Sequence, residues 1–176
     1  KMNKMKLIGI LFLIVNLSVF AQTNDWNTLN EKNYSIEYPS DWELNKSGQM
    51  GTKFILFSQL TSKNDQFKEN VNLIVQDLTG HNIDLNQYVE ISENQIKTMI
   101  TDGNIISSER VKKDEKEFQR VIYTGKQGIY DLQFVQYYWV ENNNAYVLTL
   151  TCEITVFTDF KNTGEKILNS FEIRKN

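Results

Sequence analysis

The stretch Ile129–Glu153, IYDLQFVQYYWVENNNAYVLTLTCE, constrains the fold of this chain more than any other. Its β-branched and aromatic residues are interrupted only by Asn142-Asn143-Asn144, and asparagine tolerates the left-handed backbone of tight turns, so it predicts one long antiparallel hairpin. Along the first strand Leu132, Phe134, Tyr138 and Val140 share one face, while Val135, Tyr137 and Trp139 share the other. Both faces are apolar. Such a strand belongs in the middle of a sheet whose two sides are each at least partly covered.

The N-terminus is of another kind. Lys1, Lys4 and Lys6 precede the apolar run Leu7–Val15, and Val19-x-Ala21 supplies the small residues of a processing site, so residues 1–21 read as a secretory signal cleaved before Gln22. A spanning helix needs about 20 apolar residues, and here Asn16 and Ser18 break the run. Gln22, and not cysteine, stands directly after the predicted cleavage site, so a lipoprotein is not expected, nor is a stable membrane anchor after cleavage. The expected localisation is exported, periplasmic or secreted. Cleavage removes three lysines and no acids, leaving the remainder more acidic than the net −3 of the whole chain. That balance argues against nucleic acid as a partner, since phosphate backbones reward basic patches.

With 176 residues and 40% hydrophobic content, the chain can bury one sizeable core without staples. The expected organisation is the signal at 1–21, a short polar segment at 22–33 and a single domain at 34–174. Cys152 is the only cysteine, so no intramolecular disulfide can form. It shares parity with Tyr146, Leu148 and Leu150, which makes it a core residue and not a reactive thiol.

Taken in order, Tyr34-Ser35-Ile36-Glu37-Tyr38 alternates like a half-buried strand and stops at Pro39, the single proline. Trp42 opens a second short strand. Asn45–Thr52 carries Gly48 and Gly51 and reads as a loop before the strand Lys53–Gln59. Polar Thr61–Glu69 leads to the strand Val71–Leu78. Then Leu85, Tyr88, Val89, Ile96, Met99 and Ile100 recur at helical spacing, predicting a helix over Leu85–Thr101 capped by Asp84 and stopped at Asp102-Gly103-Asn104. Strands follow at Ile105–Val111 and Glu117–Thr124, joined by a charged turn, Lys112–Lys116. After the central hairpin, Phe157, Phe160, Gly164, Ile167, Leu168 and Phe171 define one face of a helix near Phe157–Ser170, with Gly164 placed to let that helix approach the sheet. Short connections make the fold class α+β, a largely antiparallel central sheet of about six to eight strands flanked by helices.

Chemistry-bearing constellations are scarce. The one histidine, His81, sits in a turn and reads as solvent-facing, so triads and cysteine–histidine pairs have no base. No phosphate loop, zinc motif or calcium loop is present, so neither metal nor cofactor is expected and the chain reads as no enzyme. Two carboxylate pairs, Glu37 with Asp41 and Asp77 with Glu153, are the candidates for hydrolytic acid and base work. The aromatic content is the unusual feature, with 3 Trp, 8 Tyr and 10 Phe. Rings of this kind favour binding surfaces. Trp42, Tyr130, Tyr137 and Trp139 are the candidates to line a groove.

The Tyr34-x-x-x-Tyr38-Pro39-x-x-Trp42 corner, the central helix, the aromatic hairpin and the closing Ile167-Leu168-x-Ser170-Phe171 resemble the PsbP-like superfamily, including its bacterial DcrB-like branch. The resemblance covers Tyr34–Ile173. It implies an α/β/α sandwich without a catalytic centre, and accessory, assembly or adaptor roles. The few residues between Gln22 and Tyr34 are too short for the docking arm of the photosynthetic members, so a photosystem role is not implied.

The expected function is a non-catalytic exported adaptor binding a protein partner in the cell envelope. A carrier of a small amphipathic ligand, held between sheet and central helix, and a carboxylate-dependent hydrolase are the alternatives. Mass spectrometry of the exported protein should find Gln22 as its first residue; an intact N-terminus after export would refute the signal assignment.

Overall fold

The computed structural model describes residues 25–113 and 116–174. The predicted signal, its cleavage site and the tip of the charged turn lie outside the described residues. The elements run β1 (Trp26–Asn30), β2 (Tyr34–Pro39), β3 (Glu43–Asn45), β4 (Thr52–Phe57), β5 (Asn70–Asp77), α1 (Leu85–Met99), β6 (Thr101–Lys113), β7 (Lys116–Gln127), β8 (Tyr130–Glu141), β9 (Asn144–Glu153), α2 (Phe157–Asn169) and β10 (Glu172–Ile173).

The predicted hairpin is β8 and β9. Asn142 and Asn143 both take positive φ, 52° and 56°, and Glu141 pairs with Asn144, so the turn is two residues long and twists with the strands it joins. The pair lies inside a seven-stranded antiparallel sheet ordered β3-β4-β5-β9-β8-β7-β6. A three-stranded sheet, β1-β2-β10, is the second. Its β1 comes from the segment 22–33 and pairs antiparallel with β2, and Trp42 donates to the Pro39 carbonyl at 3.0 Å to close the corner.

Each face of the large sheet has its own core. On one side α2 and the small sheet cover Leu73, Val135, Tyr137, Trp139, Leu148, Leu150 and Cys152. Full burial of a Leu or Val is worth about 1.5–3 kcal/mol, and Val135, Leu148 and Leu150 are each 0% exposed. On the other side α1 covers Val121, Tyr123, Tyr138, Ala145 and Val147. The alternating parities of the hairpin are therefore both satisfied, as the sequence requires.

Helix α1 begins with a reciprocal cap, Gln87 N–H donating to Asp84 Oδ1 at 2.9 Å and Asp84 N–H donating to Gln87 Oε1 at 3.0 Å. It ends earlier than its periodicity suggests. Ile100 is already extended and Thr101 pairs with Lys126, so Asp102 and Gly103 fall in an irregular stretch of β6 instead of stopping a helix.

Helix α2 sits directly on β9 at Gly164. A Cβ there would lie 2.4 Å from Leu150 Cδ2 and 3.1 Å from Leu150 Cγ. Because Leu150 is fully buried, it has little room to yield. Gly164→Val should cost about 1–3 kcal/mol of stability by overpacking, measured by chemical denaturation, and Leu150→Ala in the same chain should recover part of that loss.

Candidate functional site

The β5–α1–β6 connection decides which part of the sheet is open. Because β6 pairs at the far edge, α1 must cross from β5 over β8 and β7, and among the described residues no helix covers the same face over β4, β5 and the end of β9. A groove of about 560 Å³ occupies that uncovered area. The loop residues Gln66, Phe67 and Lys68 wall one side, and Gln49 and Met50, in a single 3-10 turn, wall another. A second cavity of about 320 Å³ lies between α1 and the sheet and shares Ile74, Tyr123, Gln136 and Val147 with the first. The two form one continuous recess.

Strand register assembles the floor into two transverse rows. One runs Ile55, Asn72, Thr149, Gln136; the next runs Phe57, Asn70, Thr151, Phe134, Tyr123. Beneath α1 the same face is apolar, with Ala145, Val147, Val121 and Tyr138. Beyond the helix it turns polar, Thr149 and Thr151 continuing β9 and Asn72 and Asn70 continuing β5. The change marks where packing against a helix ends.

These polar groups are organised. Gln136 Nε2 donates to Thr149 Oγ1 at 3.0 Å, and the Tyr138 hydroxyl donates to Gln136 Oε1. Asn72 Nδ2 donates to Asn70 Oδ1 at 3.4 Å, and Asn70 Nδ2 reaches the Lys68 carbonyl at 3.3 Å. The Tyr88 hydroxyl donates to Gln76 Oε1 at 2.5 Å across the α1 boundary. Burial pushes the Tyr88 hydroxyl up to about 12, so it serves as a neutral donor. Aromatic walls flank the rows, with Phe134 stacked on Tyr123 at 4.5 Å and Phe67 packed on Tyr130 at 5.0 Å.

The four aromatic residues singled out from the sequence do not line the groove together: three share the core on the α2 side, where Tyr137 packs edge-on against Trp139 at 5.9 Å. Tyr137 (4% exposed), Trp139 (5%) and Trp42 (7%) are buried in the core on the α2 side. Phe118 stacks on Tyr137 at 4.6 Å, Phe171 packs on Trp139 at 5.2 Å, and Phe160 meets Trp42 edge-on at 6.5 Å. The Tyr137 hydroxyl donates to Asn169 Oδ1 of α2 at 3.3 Å. Only Tyr130 is half-buried and reaches the groove, through Phe67. The rings that do line the groove are Phe57, Phe67, Tyr123 and Phe134. The signal available was the shared parity of Asn70 with Asn72, of Thr149 with Thr151, and of Gln136 with Phe134.

The two carboxylate pairs fare differently. Asp77 pairs with Asn144 at one end of β9, and Glu153 closes the other end, so these acids are separated by the strand's length, about 30 Å at 3.3 Å per residue. Glu37 and Asp41 are both exposed near the β2–β3 corner, and they do not share a cleft: Glu37 borders an open depression of about 470 Å³ against α2 with Asn162, Glu165 and Lys166, and Asp41 is not part of its lining. His81 is exposed, and two bonds from Thr79 hold the Asp77 carboxyl below its ordinary range. Among the described residues no group of three or more His, Cys, Asp or Glu could hold a metal ion.

One unforeseen cluster does assemble. Glu69, 1% exposed, lies with Ser58 (1%) and Cys152 (0%), Ser58 Oγ donating to Glu69 Oε2 at 3.4 Å. Burial pushes the Glu69 carboxyl up, partly offset by backbone N–H groups of Glu69 and Glu153. Burial, and then the nearby Glu69, push the Cys152 thiol up as well, so it stays protonated and inert. The cluster is sealed from solvent and offers no approach to a substrate.

No protein-family model matches the chain, and no curated protein matches it in sequence. Its fold is similar to that of cyanobacterial PsbP (CyanoP) from Synechocystis, with a TM-score of 0.64 at 14% identity over 88% of this chain and 96% of that one. PA94 of Pseudomonas aeruginosa, a protein of unknown function, gives 0.62 at 11% identity over 86% and 99%. LpqN of Mycobacterium tuberculosis, involved in cell envelope biogenesis, gives 0.61 at 13% identity over 86% and 91%. The chain therefore has the PsbP-like α+β fold that its corner motif and element order resemble.

Glu69 yields a pH prediction. Its folded-state value is raised above that of the unfolded chain, so its stabilising contribution is complete below the ordinary carboxylate range and is lost as pH rises through the raised value. Glu69→Gln removes that dependence. The melting temperature of the variant minus that of the parent should grow between pH 4 and pH 8; a difference that stays flat would mean that Glu69 is not disfavoured as an anion.

Proposed function

We propose that this protein, built on the PsbP-like fold, is a non-catalytic accessory protein of the bacterial cell envelope that binds a protein partner at the rim of the groove beside α1. The observation that carries the reading is the exposure of apolar side chains around that recess. Met50 is 77% exposed on one wall, Met99 is 74% exposed at the end of α1, and Ile129 is 86% exposed in the turn that follows Gln127 of the lining. Exposed apolar side chains gathered around a recess mark interaction surfaces. Methionine suits them, because its unbranched, polarisable side chain adapts to a partner's shape.

Two further observations support recognition over catalysis. The acid, hydroxyl and thiol that the fold gathers, Glu69, Ser58 and Cys152, are buried away from any substrate. Among structures of the same fold, LpqN is described as involved in cell envelope biogenesis. The predicted signal peptide points to the same compartment. No described helix is long and apolar enough to cross a membrane.

The carrier reading has one specific observation in its favour. The cavity of about 320 Å³ beneath α1 opens into the larger groove of about 560 Å³, and each alone reaches the size at which small-molecule sites begin, about 300 Å³. The floor, however, carries amides and hydroxyls and is open, unlike an enclosed apolar cavity.

A photoreactive residue at position 50 or 129 should cross-link one and the same envelope protein, whereas a residue at position 158, on exposed α2, should not. Ile129→Asp combined with Met50→Asp should lower that cross-linking at least tenfold while leaving the melting temperature within a few degrees. Equal yields from both faces, or a yield unchanged by the aspartates, would overturn the reading.

A further inference from the structure

The floor of the groove has a chemistry separate from that of its rim. Its central positions are the amides Asn70, Asn72 and Gln136 and the hydroxyls Thr149 and Thr151, all on adjacent strands in register. In the row that holds Asn70 and Thr151, aromatic rings flank the polar pair, Phe57 on β4 and Phe134 on β8. Three strand spacings separate them, roughly 14 Å. Among the described residues Lys68 is the only charged one in the lining, and its ammonium is engaged by Glu43 at 3.0 Å.

Each feature narrows the ligand. A fatty chain laid on this floor would strip water from amides and hydroxyls and return no hydrogen bonds. An anionic headgroup would find no free cation within the lining. A ligand that fits must be uncharged, must both donate and accept along its length, and must present flat apolar faces to Phe57 and Phe134. Sugar rings do all three: their hydroxyls pair with planar amides, which donate and accept at once, and their C–H faces pack on aromatic rings.

Taking the groove as the working surface, as proposed above, we infer that its floor is a binding site for an uncharged saccharide, held by Asn70, Asn72, Gln136 and Thr151 between Phe57 and Phe134. The rim and the floor then serve two components, a protein outside and a glycan within. The floor's polarity is explained as well, since a face meant only for a second layer of protein core would continue the apolar pattern found under α1.

The test is a titration of the isotopically labelled full chain with neutral oligosaccharides (maltohexaose, cellohexaose, chitohexaose and mannan fragments), with polygalacturonate as the anionic arm, dodecylphosphocholine as the apolar arm, and an uncharged Ser/Asn/Gly peptide as the polypeptide arm. At least one neutral glycan should shift the side-chain amide signals of Asn70, Asn72 and Gln136 saturably. Asn72→Leu and Phe57→Ala, each checked by melting temperature, should weaken that binding at least tenfold. Ile129→Asp should leave it within twofold, which separates this site from the protein-docking rim. No saturable shift with any neutral glycan, or shifts with only the anionic, apolar or peptide arm, would overturn the inference and leave the rim reading to its own test.

Discussion

The antiparallel pairing of β8 with β9 is the contact on which the other layers depend. Both strands are apolar on both faces, so pairing them is not enough; each face needs a cover. One is closed by α2 and the small sheet, with Gly164 letting the helix backbone come down onto Leu150. The other is closed by α1, with Tyr88 packing edge-on against Tyr138 at 5.7 Å. Where β8 and β9 run past the end of α1, their residues on that face become Gln136, Thr149 and Thr151, and the sheet is open.

That opening is a consequence of topology. A single helix carrying the chain from β5 to the far-edge strand β6 can cover only the half of the sheet it crosses. The uncovered half lies between loops, and it carries polar rows and aromatic walls. The sealed Glu69, Ser58 and Cys152 cluster on the opposite face has the residue types of a reactive site but none of the access. Access, more than composition, separates the two regions.

Much of the fold was legible in the residues because it rests on local periodicity. The two-residue asparagine turn, the Asp84 cap, the inward Gly164 and the Tyr38-Pro39-x-x-Trp42 corner each follow from backbone preference or parity over a few positions. The site was less legible. Parity showed that Tyr137 and Trp139 share a face but not that Phe118 and Phe171 cap them. Likewise Asn72, Thr149 and Gln136 lie far apart in the chain, and only strand register makes them one row.

By itself, then, the sequence determined the central hairpin, the two amphipathic helices, the buried thiol and the PsbP-like order of elements, because each is encoded in the spacing of neighbouring residues. Tertiary structure alone decided which aromatic rings are sealed and which line a groove, where α1 stops covering the sheet, and that Glu69 is buried beside Cys152. Those outcomes depend on contacts between strands distant in the chain, and exposure belongs to the assembled layers and not to any one of them.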